Sequence, residues 1–81
     1  MFYVYLLKDK NDSLYIGYTN NIKRRFQEHL DGEVATTKKM IDIELYYYEA
    51  YLTQNMATER EGKLKQYGSS YNGLLKRINL K

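Results

Sequence analysis

The sequence predicts an α+β fold, in which a three-stranded antiparallel β-sheet is flanked by α-helices. Three short segments are rich in aromatic and aliphatic residues, as β-strands are. Two further segments repeat apolar residues every three or four positions behind a residue that can cap a helix. The 81 residues suffice for one small domain with a modest core, so we expect a single domain over residues 1–81.

The first two strands are predicted at residues 2–8 and 14–19. The first, FYVYLLK, is apolar on both faces, which is typical of a central strand covered on both sides. Turn residues, KNDS, separate it from the second, LYIGYT, so the two should form an antiparallel hairpin. If the loop has three residues, 9–11, Tyr5 lies opposite Tyr15 and their side chains share one face of the sheet.

The first helix should begin after residues 19–21, Thr-Asn-Asn, because each of these can cap it. It should run to about Asp31, with Gly32 as its end. The helical wheel gives a buried stripe, two residues at its border and two that face outward. These are Ile22, Phe26 and Leu30 for the stripe, Arg25 and His29 at the border, and Arg24 and Glu28 outside.

The rest of the chain predicts a loop at residues 33–40, a third strand at 43–50 and a short helix at 71–78. Between the last two lies a second helix, from its cap Thr53 to about Gln66. Its inner side should carry four residues: Met56, Ala57, Leu64 and Tyr67.

The polar residues of this second helix differ in direction. Arg60 falls in the middle of the inner side and Glu61 near its edge, whereas Glu59 and Gln66 point to solvent. Of the two glutamates in the helix, Glu61 is therefore the one aimed toward the protein.

The composition excludes several kinds of site. The chain has no cysteine and one histidine, so disulfides, thiolate metal sites and the usual zinc sites are excluded, and a metal ion would need oxygen ligands. Thirteen Lys and Arg against ten Asp and Glu give a net charge of +3, which permits contact with a polyanion without establishing it. With neither a secretion signal nor an apolar run of about 20 residues, we expect a cytoplasmic protein that does not contact a membrane.

The strand and helix periods bring five polar residues toward one surface: Tyr5, Tyr15, Arg25, His29 and Glu61. Taken singly, each has a structural explanation. The tyrosines suit strand packing, Arg25 suits the border of a helix, and His29 suits a hydrogen-bonded position near the core. Glu61 could simply pair with Lys65 one helical turn later.

The order of these residues resembles that of the GIY-YIG nuclease family over nearly the whole chain. Tyr3-Val4-Tyr5 matches the GIY motif in its aliphatic middle and final tyrosine, with Tyr3 in place of glycine, and Tyr15-Ile16-Gly17 matches YIG. Arg25 and His29 follow with the spacing Arg-x-x-x-His, and Glu61 comes on the later helix. The segments YIGYTNNIKRRFQEH and ATEREGKLKQ are similar to small stand-alone members of this family.

The resemblance implies a metal-dependent endonuclease that hydrolyses DNA phosphodiester bonds. Glu61 would hold one Mg²⁺ or Mn²⁺, and Arg25 would donate hydrogen bonds to phosphate oxygens. Tyr5 would act as general base or position the water, and Tyr15 would orient the water or the phosphate. His29 would be a second proton acceptor or a support for Tyr15.

The resemblance also suggests how DNA would be bound. Gly17 would allow close approach of the substrate, and an exposed tyrosine among residues 46–48 could stack a base. The DNA could be duplex, branched or single-stranded, and a protein partner could supply specificity. The role could be in DNA repair. The alternative is a nucleic-acid-binding module on the same fold, with little or no catalysis. Flanking phosphates would be bound by basic residues that equally suit a solvated surface: Lys23, Arg24, Lys38 and Lys39.

Overall fold

The structure, a computed structural model, describes residues 1–80. Within these residues the predicted fold class is confirmed, because three antiparallel strands form one sheet in the order β2-β1-β3 and three α-helices flank it. A single turn of 3-10 helix, Ala35–Thr37, lies in the predicted loop. The other elements are β1 (Phe2–Lys8), β2 (Leu14–Thr19), α1 (Ile22–Leu30), β3 (Glu44–Tyr51), α2 (Gln54–Leu64) and α3 (Ser69–Arg77).

The hairpin of β1 and β2 has a register different from the predicted one. Tyr5 lies opposite Gly17, and Tyr15 lies opposite Leu7, so the predicted pairing of Tyr5 with Tyr15 is wrong by two residues. A shift by two residues leaves every side chain on its original face, because side chains alternate along a strand. Tyr5 and Tyr15 therefore still share one face of the sheet.

The loop of the hairpin causes this shift. The last paired residues are Lys8 and Leu14, so the loop takes residues 9–13 instead of three residues. The Asp9 carboxylate accepts hydrogen bonds from the backbone N–H groups of Asn11 and Ser13, each at 2.9 Å. An aspartate that binds the backbone ahead of it in this way stabilises the longer turn.

The two faces of the sheet have different roles. Central strand β1 is buried on both sides. The face that carries Tyr5 and Tyr15 is covered by α1, whose His29 contacts both rings. The opposite face packs against α2 and α3 to form the apolar core, which consists of Val4, Leu6, Ile16, Ala57, Leu64 and Leu74.

Helix α1 is oriented differently from the predicted helix. Its buried residue is His29, which is 1% exposed, whereas Leu30 is 49% exposed. Ile22 and Phe26 are half-buried, so the prediction is wrong for Leu30. The reason is that α1 rests on the tyrosine-bearing face, where a histidine finds hydrogen-bond partners that a leucine cannot use. Its capping residue is Asn21, whose side chain accepts a hydrogen bond from the Arg24 backbone.

Helix α2 is shorter than the predicted helix. It ends at Leu64, so Tyr67 lies beyond it with a φ of 56° and is 60% exposed. Met56 is also exposed, so the prediction that Met56 and Tyr67 lie on the inner side is wrong, while Ala57 and Leu64 are buried as predicted. These two lie two helical turns apart, which makes the buried seam of α2 narrow, and Met56 falls outside it.

The remaining boundaries agree with the predicted ones within two residues. In the part of the chain that the structure describes, no helix has the length and apolar character needed to cross a membrane.

An ion pair between β3 and α2 fixes the rotation of the second helix. Glu49 accepts hydrogen bonds from Arg60 Nε at 2.9 Å and Nη2 at 3.0 Å, and from the Tyr47 hydroxyl at 2.6 Å. The Glu49 side chain is 12% exposed. Bidentate pairs of this kind constrain geometry as well as adding energy. Because Glu61 follows Arg60 in the helix, the same pair sets the direction in which Glu61 points.

Candidate active site

Tyr5 occupies space that exists because residue 17 is a glycine. A Cβ atom at Gly17 would lie 2.6 Å from the Tyr5 hydroxyl oxygen, 2.7 Å from its Cζ atom and 3.0 Å from the Tyr15 ring. Tyr5 is 3% exposed, so it has little room to move away. Gly17 therefore has a role in packing, because the absence of a side chain leaves room for two tyrosine rings. The predicted role of Gly17 in substrate approach stays a prediction.

Gly17→Ala is expected to lower the free energy of unfolding by about 1–3 kcal/mol, because the added methyl group overpacks the Tyr5 ring. Urea denaturation would measure the change. Gly62→Ala is the matched control, because nothing lies within 4 Å of the added Cβ and the site is inside α2. That substitution should raise the free energy of unfolding by about 0.5–1 kcal/mol. A Gly17→Ala protein as stable as the parent would contradict this packing role.

A chain of hydrogen bonds runs from Tyr5 through His29 into the loop after α1. The Tyr5 hydroxyl lies 2.8 Å from His29 Nε2, and His29 Nδ1 lies 2.6 Å from the Thr37 hydroxyl. The Thr37 hydroxyl donates to the Val34 carbonyl at 3.4 Å, so it is free to accept from Nδ1–H. We therefore assign the Nδ1–H tautomer to His29, in which Nε2 accepts the proton of the Tyr5 hydroxyl.

Burial controls the protonation of this pair. It raises the pKa of Tyr5 to about 12, against the opposing effect of the Arg25 guanidinium. Burial also lowers the pKa of His29, and the positive charge of Arg25 lowers it further. Burial therefore outweighs the tendency of the Arg25 charge to favour the Tyr5 phenolate. At neutral pH the phenol is a neutral donor and the imidazole a neutral acceptor.

Arg25 lies at the rim of this cluster. Its guanidinium lies near enough to the Tyr5 hydroxyl to affect the pKa of that group, and its Nη1 donates to Glu28 at 2.8 Å. Glu28 was predicted to face outward, but its side chain is 31% exposed and is held between Arg25 and Arg24. This pairing keeps the pKa of Glu28 low. Because a guanidinium has five N–H groups, Arg25 retains donors for an anion after these contacts.

Glu61 approaches the cluster from α2. The ring centroid of Tyr15 lies 5.0 Å from that of His29 and 5.8 Å from the Lys65 Nζ atom. Lys65 Nζ is in turn 3.1 Å from a carboxylate oxygen of Glu61, as an ion pair one helical turn apart. The negative charge of Glu61 contributes to the raised pKa of Tyr5. The structure thus brings Tyr5, Tyr15 and His29 into contact, places the charge of Arg25 near the Tyr5 hydroxyl, and links Glu61 to Tyr15 through Lys65.

Glu61 is suited to a metal site with one protein ligand. Residues 1–80 contain no group of three or more His, Cys, Asp or Glu side chains that could hold a metal ion. Magnesium, however, dehydrates reluctantly and is commonly bound by one or two carboxylates together with water and phosphate oxygens. A carboxylate that is 19% exposed at the edge of an arginine-lined cluster fits this form of binding.

The predicted phosphate-binding residues flank the cluster at two ends. Arg24 lines a cleft of about 540 Å³ together with Arg25. Lys38 lines another, of about 560 Å³, that reaches His29. All four of these basic side chains are exposed: Lys23, Arg24, Lys38 and Lys39.

Two residues of the cluster, Glu28 and Thr37, were not predicted as site residues. Glu28 has a visible signal, because it lies three residues after Arg25 on the same helix. Thr37 has no such signal. It lies in a loop, and the sequence of this loop has no periodic pattern that would predict the contact with His29. Both act on a predicted residue, Glu28 on Arg25 and Thr37 on His29.

The fold and this cluster together have the architecture of a small nuclease domain. Residues 1–79 match the family model described as the GIY-YIG catalytic domain. The chain therefore belongs to the GIY-YIG family, which confirms the resemblance found in the sequence. Membership of this family supports a nuclease-type function.

Similar proteins share both sequence and fold with this chain. UPF0213 proteins of Haloquadratum walsbyi and Bacillus pumilus are each 38% identical over 66 residues, which cover 80% of this chain and 74% and 67% of those proteins. A UPF0213 protein of Clostridium perfringens is 39% identical over 82% of this chain and 72% of its own length. The solution NMR structure of a UPF0213 protein from Bacillus halodurans has a TM-score of 0.59 and 28% identity, covering 96% of this chain and 85% of that one.

Proposed function

We propose that this protein is a metal-dependent endonuclease that hydrolyses phosphodiester bonds in DNA. The observation that carries the proposal is the hydrogen-bonded pair of Tyr5 and His29, with the positive charge of Arg25 nearby. A neutral phenol that donates to a neutral imidazole is a ready path for a proton. Family membership supports the nuclease type, and the substrate and the roles of the residues are our proposal.

Tyr5 and His29 would together take the proton of the attacking water. The Tyr5 oxygen has one proton, which it donates to His29, and two lone pairs that can accept. One of these lone pairs would accept from the water. As the water oxygen bonds to phosphorus, its proton passes to Tyr5 and the Tyr5 proton passes to His29 Nε2. With a pKa of about 12, Tyr5 is rarely ionised beforehand, so the two transfers are coupled.

Arg25 would stabilise the negative charge that grows on the phosphate. Its planar guanidinium matches two non-bridging oxygens, and the hydrogen bond to Glu28 holds it in place. As the new bond forms, the bond from phosphorus to the leaving oxygen breaks. Tyr15, packed against His29, would keep the imidazole aligned with Tyr5.

Glu61 would be the protein ligand of one Mg²⁺ or Mn²⁺ ion. When bound, such an ion neutralises charge on the phosphate and on the leaving oxygen. Lys65 pairs with Glu61 and compensates its charge within the protein. GIY-YIG nucleases in general use divalent metal ions, which agrees with this assignment.

Arg25→Ala is expected to lower the turnover number by about 100-fold or more while weakening DNA binding only mildly, because its contact is strongest in the transition state. The measurement is a cleavage assay on branched, nicked, single-stranded and duplex DNA with Mg²⁺ or Mn²⁺, beside a binding assay. Arg24→Ala should instead weaken DNA binding more than it lowers the turnover number, because Arg24 lines the same cleft and is assigned to a flanking phosphate.

Equal losses of turnover and of binding in Arg25→Ala would make Arg25 a binding residue. If the parent protein binds these DNAs without metal and cuts none of them, the catalytically inactive binding module is the correct function. The exposed Tyr48 of β3 favours that second candidate, because its ring suits binding without chemistry.

A further inference from the structure

A cleft of about 430 Å³ lies beside the candidate active site and has no role in the proposed chemistry. We call it the tyrosine cleft. Two tyrosines form one wall, Tyr48 of β3, which is 55% exposed, and Tyr3 of β1. Residues at the start of α1 form the other wall: Asn20, Asn21, Ile22 and Lys23.

We propose that the tyrosine cleft binds an unpaired nucleobase of the DNA strand, stacked on Tyr48. The proposal rests on the proposed function, because it assigns the form of DNA that the same surface takes. Its volume is within the range of about 300–1,000 Å³ that is typical of small-ligand sites. Bases inside a duplex have both faces covered, so the occupant is a base of a single strand or one extruded from a duplex.

The position of Tyr48 next to Tyr5 supports this assignment. The two residues lie directly opposite each other on neighbouring strands, as do Tyr5 and Gly17 on the other side. Cβ atoms of such pairs are about 4.5–5.5 Å apart. Because the Tyr5 ring lies over Gly17, toward β2, the space above β3 is left to Tyr48.

Tyr48 leans instead toward Tyr3, with ring centroids 6.1 Å apart at an angle of 65°. An edge-to-face pair fixes both rings and leaves surface of Tyr48 exposed to a ligand. Tyr3 lies two residues from Tyr5 on the same face, about 7 Å away along the strand. The base in the cleft would therefore belong to a nucleotide close to the phosphate at Tyr5.

The polar wall of the cleft matches the edge of a base. The amide oxygens of Asn20 and Asn21 are engaged by Arg24, at 3.2 Å from its side chain and 3.0 Å from its backbone N–H. The amide NH₂ groups are therefore the parts that would donate to carbonyl or ring-nitrogen acceptors of a base. Lys23, on the same wall, would bind the neighbouring phosphate.

A second copy of the chain is the rival occupant, because β3 is an edge strand of the sheet. The polar wall of the cleft argues against it. A lysine and two asparagines suit a nucleotide better than the apolar contact that forms the centre of a stable dimer.

The test is Tyr48→Ala in metal-free buffer with EDTA, where cleavage is excluded. Fluorescence anisotropy would compare a labelled oligothymidine single strand with a labelled duplex. We expect the single-strand affinity to fall by about 5- to 150-fold, the range that loss of one stacked base gives. Tyr48→Phe should retain the affinity, and duplex binding should change by less than about two-fold. Tyr46→Ala is the control, because Tyr46 is an exposed tyrosine of the same strand.

Several results would overturn the proposal: an equal loss of affinity in Tyr46→Ala, an equal loss for duplex DNA, or unchanged single-strand binding in Tyr48→Ala. A parent protein that sediments as a dimer, and a Tyr48→Ala protein that sediments as a monomer, would make this face an interface between copies. Because the assay contains no metal, it is separate from the nuclease proposal. If the protein binds single strands through Tyr48 but never cleaves DNA, the base-binding proposal stands and the nuclease proposal is wrong.

Discussion

Glu61→Gln is expected to abolish metal-dependent cleavage while the protein remains folded and retains or gains affinity for DNA in the absence of metal. A carboxylate near a phosphate repels it unless a cation lies between them, so removal of the charge favours bare DNA. Glutamine keeps the length of the side chain but loses the charge that holds the ion. Cleavage rates across Mg²⁺ and Mn²⁺ concentrations, together with a direct assay of Mn²⁺ binding, would measure the effect.

Glu59→Gln is the matched control for this substitution. Glu59 lies on the same helix and also pairs with a lysine one turn later, Lys63, at 3.6 Å. Its side chain is 71% exposed, so it should affect neither metal binding nor cleavage. If Glu61→Gln still cuts at the parental rate when Mg²⁺ is limiting, Glu61 is not the metal ligand.

Tyr5→Phe is expected to lower the turnover number by about 10²- to 10⁴-fold, the usual contribution of a general base. The substitution also removes the donor to His29 Nε2 inside the protein, which should reduce the free energy of unfolding by about 1–3 kcal/mol. Single-turnover cleavage and urea denaturation would measure the two effects. Tyr71→Phe is a suitable control, because Tyr71 packs against the apolar core with α3, on the other face of the sheet.

The pH profile distinguishes loss of the proton path from a general loss of structure. His29 can accept a proton only while neutral, and burial holds its pKa below the ordinary value of 6.5. The parent protein should therefore have its full cleavage activity above pH 6.5 and lose activity as the pH falls through the lowered pKa of His29. The unfolded chain takes up this proton first, so stability also declines below pH 6.5, and circular dichroism must accompany each rate. An identical acid limb in Tyr5→Phe would contradict the role of His29 as acceptor.

Much of the fold follows from local patterns. A register shift of two residues keeps the odd positions of β1 and β2 on one face, so the placement of Tyr5 on the same face as Tyr15 survived an incorrect register. Helices α1 and α2 were located because their caps, Asn21 and Thr53, can be recognised in the sequence. The direction of Glu61 followed from helical geometry alone.

What could not be predicted depends on contacts between distant segments. The register was set by the Asp9 carboxylate, which binds the backbone of its own loop and also the Ile41 N–H at 3.3 Å. The burial of His29 instead of Leu30 depends on Thr37, which reaches the imidazole from the loop after α1. A pattern of apolar residues ranks leucine ahead of histidine for burial, and only the polar partners reverse that order.

The ion pair of Glu49 with Arg60 joins two functional regions that lie on different elements of the fold. Glu49 is the residue after Tyr48, and Arg60 is the residue before Glu61. One bidentate contact therefore sits between the strand that carries the tyrosine cleft and the helix that carries the proposed metal ligand. A substitution that breaks this pair should therefore loosen the placement of Tyr48 and of Glu61 together.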